Sequence, residues 1–172
     1  MESLLEKITK MKTLIILRHG KAEQHSFDLD DYDRGLTSRG VKNSEQMGKF
    51  ILKKQGMPDY ILSSAAKRTY QTAVLAAKGM GFPKNEIVED ENLYLVPERN
   101  LLAALAELPT DVNFCVLVGH NPGMTALVNY FGVKLDNLPT ASAVCFTFEM
   151  DTWENIATEK AEYQWIKLAR EL

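Results

Sequence analysis

Apolar positions along the chain fall into two alternating patterns. Thr13 to Leu17 and Phe114 to Val118 are continuous apolar runs, and Tyr60 to Leu62 is a shorter one. Runs that are apolar on both faces suit strands of a parallel sheet covered on both sides. Between them lie stretches with helical spacing, over Ser38 to Lys54, Ala65 to Lys78, Glu98 to Glu107 and Gly123 to Phe131. In the first, Val41, Met47, Phe50 and Ile51 form one stripe, with Lys42, Lys49 and Lys53 opposite and Thr37 or Ser38 placed to cap it. Pro97 suits the first turn of the third helix. A further strand is expected over Glu86 to Val88, and another over Ala143 to Phe148. After a turn at Asp151 to Asn155, Ala161, Tyr163 and Trp165 alternate with polar residues. Glu162 to Lys167 therefore reads as an edge strand, with a terminal helix as the alternative.

This alternation predicts an α/β protein, a three-layer α/β/α sandwich with a mainly parallel central sheet. No repeat or linker divides it, so residues 12–172 are expected to form one domain. Residues 1–11 form an N-terminal extension in which Leu4, Leu5, Ile8 and Met11 have the spacing of a short amphipathic helix; Met11 is an alternative start.

Composition narrows the classes. The 172 residues are 45% hydrophobic and 25% charged, as in ordinary globular proteins, and the net charge is −3. That charge gives no support for a nucleic-acid partner, which usually demands a basic excess. No apolar stretch has the length of a membrane span, and the charged N-terminus has no secretory core. Cys115 and Cys145 lie in apolar runs without metal-ligand spacing, as small buried hydrophobes. A reducing, cytoplasmic location follows as the expectation.

Candidate chemistry gathers where strands end. In an open α/β sheet, ligands bind beyond the carboxyl ends of the strands. The first strand runs into Arg18-His19-Gly20, and Cys115 to Val118 runs into Gly119-His120-Asn121-Pro122-Gly123. One histidine at a strand end is ordinarily a hydrogen-bonded structural residue. Here two of only three histidines hold equivalent positions, each beside glycines that permit sharp turns and close approach. Ser63-Ser64-Ala65-Ala66-Lys67-Arg68 follows another strand and opens a helix, with Ser63 or Ser64 as the expected N-cap. An arginine near a helix N-terminus is commonly a solvated surface residue, but it also suits an anion such as phosphate. Two histidines with Arg18 and Arg68 on one rim would make a phosphoryl site, since guanidinium groups match phosphate oxygens and imidazole is a competent nucleophile. Histidines with scattered carboxylates could instead hold a metal, but the neighbouring arginines would repel it. The chain has no P-loop, dinucleotide fingerprint, His-Glu-x-x-His or nucleophile-elbow motif. No metal and no cofactor are expected.

Leu17-Arg18-His19-Gly20, Ser63-Ser64-x-x-x-Arg68-x-x-x-Thr72-Ala73 and Gly119-His120-Asn121-Pro122-Gly123 resemble the motifs of the histidine phosphatase superfamily, whose fold is phosphoglycerate-mutase-like. The short chain, the His-Asn-Pro-Gly form, and Leu138-Pro139-Thr140 followed by Trp153 resemble its SixA branch of phosphohistidine phosphatases. The resemblance implies that His19 is the nucleophile and becomes phosphorylated, while Arg18, Arg68 and His120 clamp the phosphoryl oxygens. Arg34, Asn121 and Gly20 are then substrate contacts or supports. Many ester-hydrolysing relatives carry a glutamate some twenty-odd residues after the second arginine, whereas Asn92 to Val96 holds no acid, and only Glu89 and Glu91 are near. His25 stands where mutases usually have Asn. A missing acid favours an easily expelled imidazole, so the expected substrate is phosphohistidine on a partner protein. The rival expectations are a small phosphate ester with Glu89 or Glu91 as acid, and a non-catalytic phosphate-binding module.

Overall fold

The computed structural model describes residues 10–172. Its elements run β1 (Met11–Arg18), α1 (Ser38–Gln55), β2 (Tyr60–Ser64), α2 (Lys67–Met80), β3 (Val88–Asp90), α3 (Glu98–Ala106), β4 (Phe114–Gly119), α4 (Gly123–Tyr130), β5 (Ala143–Glu149) and β6 (Ala161–Lys167). The expected N-terminal helix lies outside the described residues, and Met11, placed in the extension, is the first residue of β1.

The six strands form one mixed sheet in the order β3-β2-β4-β1-β5-β6. β1, β2, β3 and β4 are mutually parallel, while β5 pairs antiparallel with β1, and β6 with β5. The terminal-helix alternative for the end of the chain is thereby replaced by an edge strand. The period of two in a strand splits each apolar run between two layers. Leu14 and Ile16 join the core beneath α3 and α4, whereas Ile15 and Leu17 join the one beneath α1 and α2. In β4, Cys115 and Leu117 face the first core and Val116 and Val118 the second. Both cysteines are fully buried, and burial pushes both thiols up, that of Cys145 to about 12, so they are inert apolar fillers.

α1 and α2 pack with their backbones nearly touching. A Cβ at Gly48 would lie 2.1 Å from Ala76 O, and one at Gly79 2.3 Å from Glu45 O. Met47 and Ile51 of the predicted stripe are buried, but Val41, in the first turn of α1, is exposed. Thr37 caps α1 as expected, its hydroxyl accepting from Gly40 N. The start of α2 differs from expectation. β2 continues through Ser63 and Ser64, the helix begins at Lys67, and the N-cap position falls to Ala66 without a side-chain bond. Pro97 is the N-cap residue of α3 rather than a first-turn residue. β3 starts two residues later than predicted, because Lys84–Glu86 forms a 3-10 turn first.

Candidate active site

Parallel pairing brings the chemistry together. Arg18 at the end of β1 registers with Gly119 at the end of β4, and Ser63 at the end of β2 registers with Val118. The residues that follow, His19 and His120, are therefore neighbours, and His19 N donates to Gly119 O at 3.1 Å. The two rings lie 5.5 Å apart, centre to centre. They share a cleft of about 540 Å³ with Arg18, Arg34, Arg68, Asp31, Tyr94 and Asn121.

His19 is held in one tautomer. Its Nδ1 lies 2.7 Å from Gly20 O, and a carbonyl only accepts, so Nδ1 carries the proton and Nε2 keeps its lone pair. Burial, with Arg68, Arg18 and Arg34 nearby, pushes its pKa down to about 4, against the effect of the Gly20 hydrogen bond. The ring is therefore neutral at pH 7. His120 is held down further, to about 3, by burial and then by His19 and Arg68. Its Nε2 shares a 2.9 Å hydrogen bond with Ser64 Oγ, which explains why Ser64 is a fully buried strand residue rather than a cap. When Ser64 donates, His120 carries its proton on Nδ1.

Among the described residues, three buried side-chain nitrogens have no hydrogen-bond partner: Arg18 Nε, Arg68 Nε and His120 Nδ1. Unmatched buried polar groups are costly, and all three belong to this one cleft. Each belongs to a side chain that can donate, so the set suits an anion.

Arg68 is not the solvated surface residue that its helical position alone suggests; it is 2% exposed. Its guanidinium donates to Asp31 O at 2.6 Å and to Asp31 Oδ2 at 3.0 Å. Arg34 donates through Nε and Nη2 to Asp31 Oδ1, at 2.9 and 2.7 Å, and through Nη1 to Glu23 O at 2.7 Å. The Tyr94 hydroxyl donates to Asp31 Oδ2, and His25 Nε2 lies 3.4 Å from Oδ1. The hydrogen bonds from Tyr94, Arg34 and Arg68 outweigh the effect of burial and hold the Asp31 carboxyl well below the usual range. Sequence reasoning missed Asp31 and Tyr94. The Asp31–Arg34 spacing of three was the only local hint of that pairing.

The remaining predicted residues are placed as follows. Arg18 lines the cleft and donates through Nη1 to Leu138 O at 2.9 Å. Asn121 lines it too, but its amide is occupied: Oδ1 accepts from Thr125 N and Oγ1, and Nδ2 donates to Asn137 Oδ1 and Leu138 O. Gly20 does not line the cleft. A Cβ there would lie 2.7 Å from Ser44 Oγ and 2.8 Å from Gly40 O, so it permits close packing on α1 while its carbonyl orients His19. Glu89 and Glu91 are exposed and line no part of the cleft. No group of three or more His, Cys, Asp or Glu among the described residues could hold a metal.

Residues 14–94 match the family model of the histidine phosphatase superfamily (branch 1). Over that stretch the chain is similar to the histidine phosphatase superfamily. A candidate phosphohistidine phosphatase SixA from Nakamurella multipartitia superposes with a TM-score of 0.77 at 24% identity, over 91% of this chain and 95% of that one. The protein histidine phosphatase SixA complexed with tungstate gives 0.77 at 19% identity, over 92% and 97%. At these identities the likeness is one of fold. In sequence, an uncharacterized chloroplastic protein of Arabidopsis thaliana is 24% identical over 83% of this chain and 69% of its own length. A 2,3-bisphosphoglycerate-dependent phosphoglycerate mutase of Rhodococcus opacus is 32% identical over 37% of this chain, but only 26% of the mutase. Among the described residues no helix is long and apolar enough to cross a membrane.

Proposed function

We propose that this protein is a phosphohistidine phosphatase of the histidine phosphatase superfamily, one that hydrolyses phosphohistidine on a protein through a phosphorylated His19. The observation that carries this reading is the paired state of the site. A neutral His19 has its Nε2 lone pair free, beside three buried nitrogens without partners. With the substrate imidazole protonated by solvent on its other ring nitrogen, Nε2 attacks phosphorus, the P–N bond breaks, and the substrate side chain leaves as neutral imidazole. The Gly20 carbonyl stabilises the phosphorylated ring through Nδ1–H. Water then attacks phosphorus, releases orthophosphate and returns His19 to its neutral form. Arg18, Arg68 and His120 carry the charge on the transferring oxygens, which is positioning and electrostatic work.

The leaving group decides the substrate class. An alkoxide needs a proton donor, but the carboxylic side chain that lines the cleft, Asp31, is held ionised by Arg34, Arg68 and Tyr94. A phosphohistidine imidazole can take that proton from solvent on its other ring nitrogen and leave neutral, so the site favours P–N over alkyl P–O cleavage.

The test is a labelling experiment with a phosphohistidine peptide, an aryl phosphate and an alkyl phosphate. The wild-type protein should give an acid-labile, alkali-stable phosphoenzyme and prefer the peptide over the alkyl ester. His19→Ala should lose both turnover and label, whereas Glu89→Gln and Glu91→Gln should keep peptide hydrolysis within a few-fold. Wild-type rates from His19→Ala would sink the mechanism. An alkyl ester as best substrate, lost selectively in one glutamate variant, would sink the substrate and leave the nucleophile standing; general acid catalysis of that kind is worth about 10²- to 10⁴-fold.

A further inference from the structure

The floor and the rim of the cleft carry opposite charge. Arg18, Arg34 and Arg68 lie within it, the latter two largely buried, and the one exposed lysine or arginine among the lining residues is Lys21. Around the mouth, Glu23, Asp28, Asp30, Asp33, Glu89 and Glu91 are all exposed. Every one lies within a few residues of a lining residue. Their gathering is three-dimensional. Tyr32 packs edge-on against Tyr94 of the cleft at 5.0 Å, and, after burial, Glu91, Glu89 and Asp33 from two separate segments raise its phenol pKa. Lys67, beside Gly35, is a second exposed cation near this side. Carboxylates still outnumber lysines there by a wide margin.

The same rim exposes apolar side chains that the fold does not use. An isolated bridge between Ser26 and Leu29 pinches the loop so that Phe27 stands at its tip, 111% exposed, with Leu29 at 42%. Leu95, which lines the cleft, is 47% exposed and adopts a φ of +49°. A bulky residue in the left-handed region is strained, and such strain collects at functional sites. An exposed phenylalanine within a ring of carboxylates has no role in the stability of this chain, but it has one in contact with another protein.

A free phosphate ester meets this rim as an anion meeting anions, within a Debye length of about 10 Å at 0.1 M salt. A protein segment is different, because it can place cations over the carboxylates while its phosphoryl group enters the cationic cleft. We propose that the rim formed by residues 23–33 and 89–95 is a docking surface for a protein segment whose phosphohistidine is flanked by lysine or arginine, with an apolar side chain that meets Phe27. The inference rests on the phosphohistidine reading above and names the partner surface that reading requires.

The experiment compares two phosphohistidine peptides, one flanked by lysines and one by glutamates, with an aryl phosphate as control. At low salt, kcat/KM should favour the lysine-flanked peptide by about tenfold or more, as complementary charge raises association rates. In 1 M salt, where the Debye length is about 3 Å, the two should converge. Asp28→Lys/Asp30→Lys/Asp33→Lys, all on exposed side chains without hydrogen bonds to the cleft, should remove or invert the preference. Phe27→Ser should raise KM for the lysine-flanked peptide several-fold at unchanged kcat. The aryl phosphate kcat should stay unchanged in each variant, which shows that the cleft is intact. Equal cleavage of the two peptides at low salt, or a preference indifferent to the triple substitution, would overturn the docking surface alone. Cleavage of the aryl phosphate with neither peptide hydrolysed would overturn the phosphohistidine reading, and the docking surface with it.

Discussion

Asp31→Asn perturbs the site at its most crowded point. The carboxylate accepts from Arg34 twice, from Arg68 and from Tyr94, with His25 3.4 Å away, and so fills the place of an anion among guanidinium groups. Asparagine keeps the shape but loses the charge, and it turns an NH₂ towards groups that also donate. Charge-assisted hydrogen bonds contribute about 1.5–3 kcal/mol each, not additively. With the Asp31 side chain 25% exposed, a net loss of about 2 kcal/mol is expected. For a chain of this size that is a fall of roughly 4–8 °C in Tm. Asp31 has a lowered pKa, so its contribution is complete above the ordinary aspartate value near 3.8 and is lost as pH falls through the native value. The gap between wild type and variant should therefore be flat from pH 8 to 5 and narrow only in stronger acid.

Anion binding should move the opposite way. Two like unit charges about 5 Å apart repel by roughly 3 kcal/mol at an effective dielectric of 20, and removing the Asp31 charge from the cleft regains part of such a repulsion, less what is lost because Arg68 loses a brace. Orthophosphate or vanadate should then bind at least about tenfold more tightly, a gain of roughly 1.4 kcal/mol by linkage when the anion saturates both proteins. Thermal melts with and without vanadate read both effects: a clear deficit without the anion, most of it closed with the anion. A variant as stable as wild type without anion would refute the charge argument. Weaker vanadate binding in the variant would show that Asp31 acts only as a brace for Arg68.

Two further predictions concern the arginines and the histidines. Arg18→Ala or Arg68→Ala should slow turnover by roughly a hundredfold or more and weaken competitive inhibition by tungstate, while chelators leave the wild-type rate unchanged; activity lost in chelator and restored by a divalent cation would contradict this. By NMR, His19 and His120 should stay neutral down to about pH 5, since burial lowers both pKa values, and because the unfolded chain takes up those protons near 6.5, stability should fall as pH drops below that value by up to about 1.4 kcal/mol per unit per histidine. Either ring charging near 6.5, or a Tm unchanged between pH 7 and 5, would contradict the buried neutral pair.

What the sequence disclosed and what it withheld follow from range. The central strands were legible because β1 and β4 are buried on both faces, and such runs stay apolar at every position. β3 was displaced by two residues because an edge strand with Val88 and Glu89 exposed has little apolar signal to mark its ends. Ser63 and Ser64 read as caps because serines before a helix usually are; their burial depends on β4 and His120, both far along the chain. His19, Arg18, Arg68 and His120 were visible as a set, since each sits at a fixed offset from a strand or helix end. Asp31 was not. It is one of four aspartates between residues 28 and 33, in a segment without periodicity, and only Arg34, Arg68 and Tyr94 converging on one of them distinguish it.

That same convergence shapes the argument about substrate. From the sequence, the shortage of an acid rested on the stretch Asn92 to Val96, and Tyr94 stood in it as an unremarked residue. In the fold Tyr94 reaches to Asp31 and packs edge-on to His120 at 5.3 Å, so the stretch supplies the cleft with a hydrogen-bond donor and no carboxylic acid. The carboxylate that does line the cleft is tied to two arginines and that tyrosine. A proton on it would have to displace three favourable interactions at once, which makes it a poor acid towards an alkoxide and a good ionic brace. On the proposed reading, a substrate here would have to leave without a proton from Asp31, as a phosphohistidine imidazole protonated by solvent on its other ring nitrogen would.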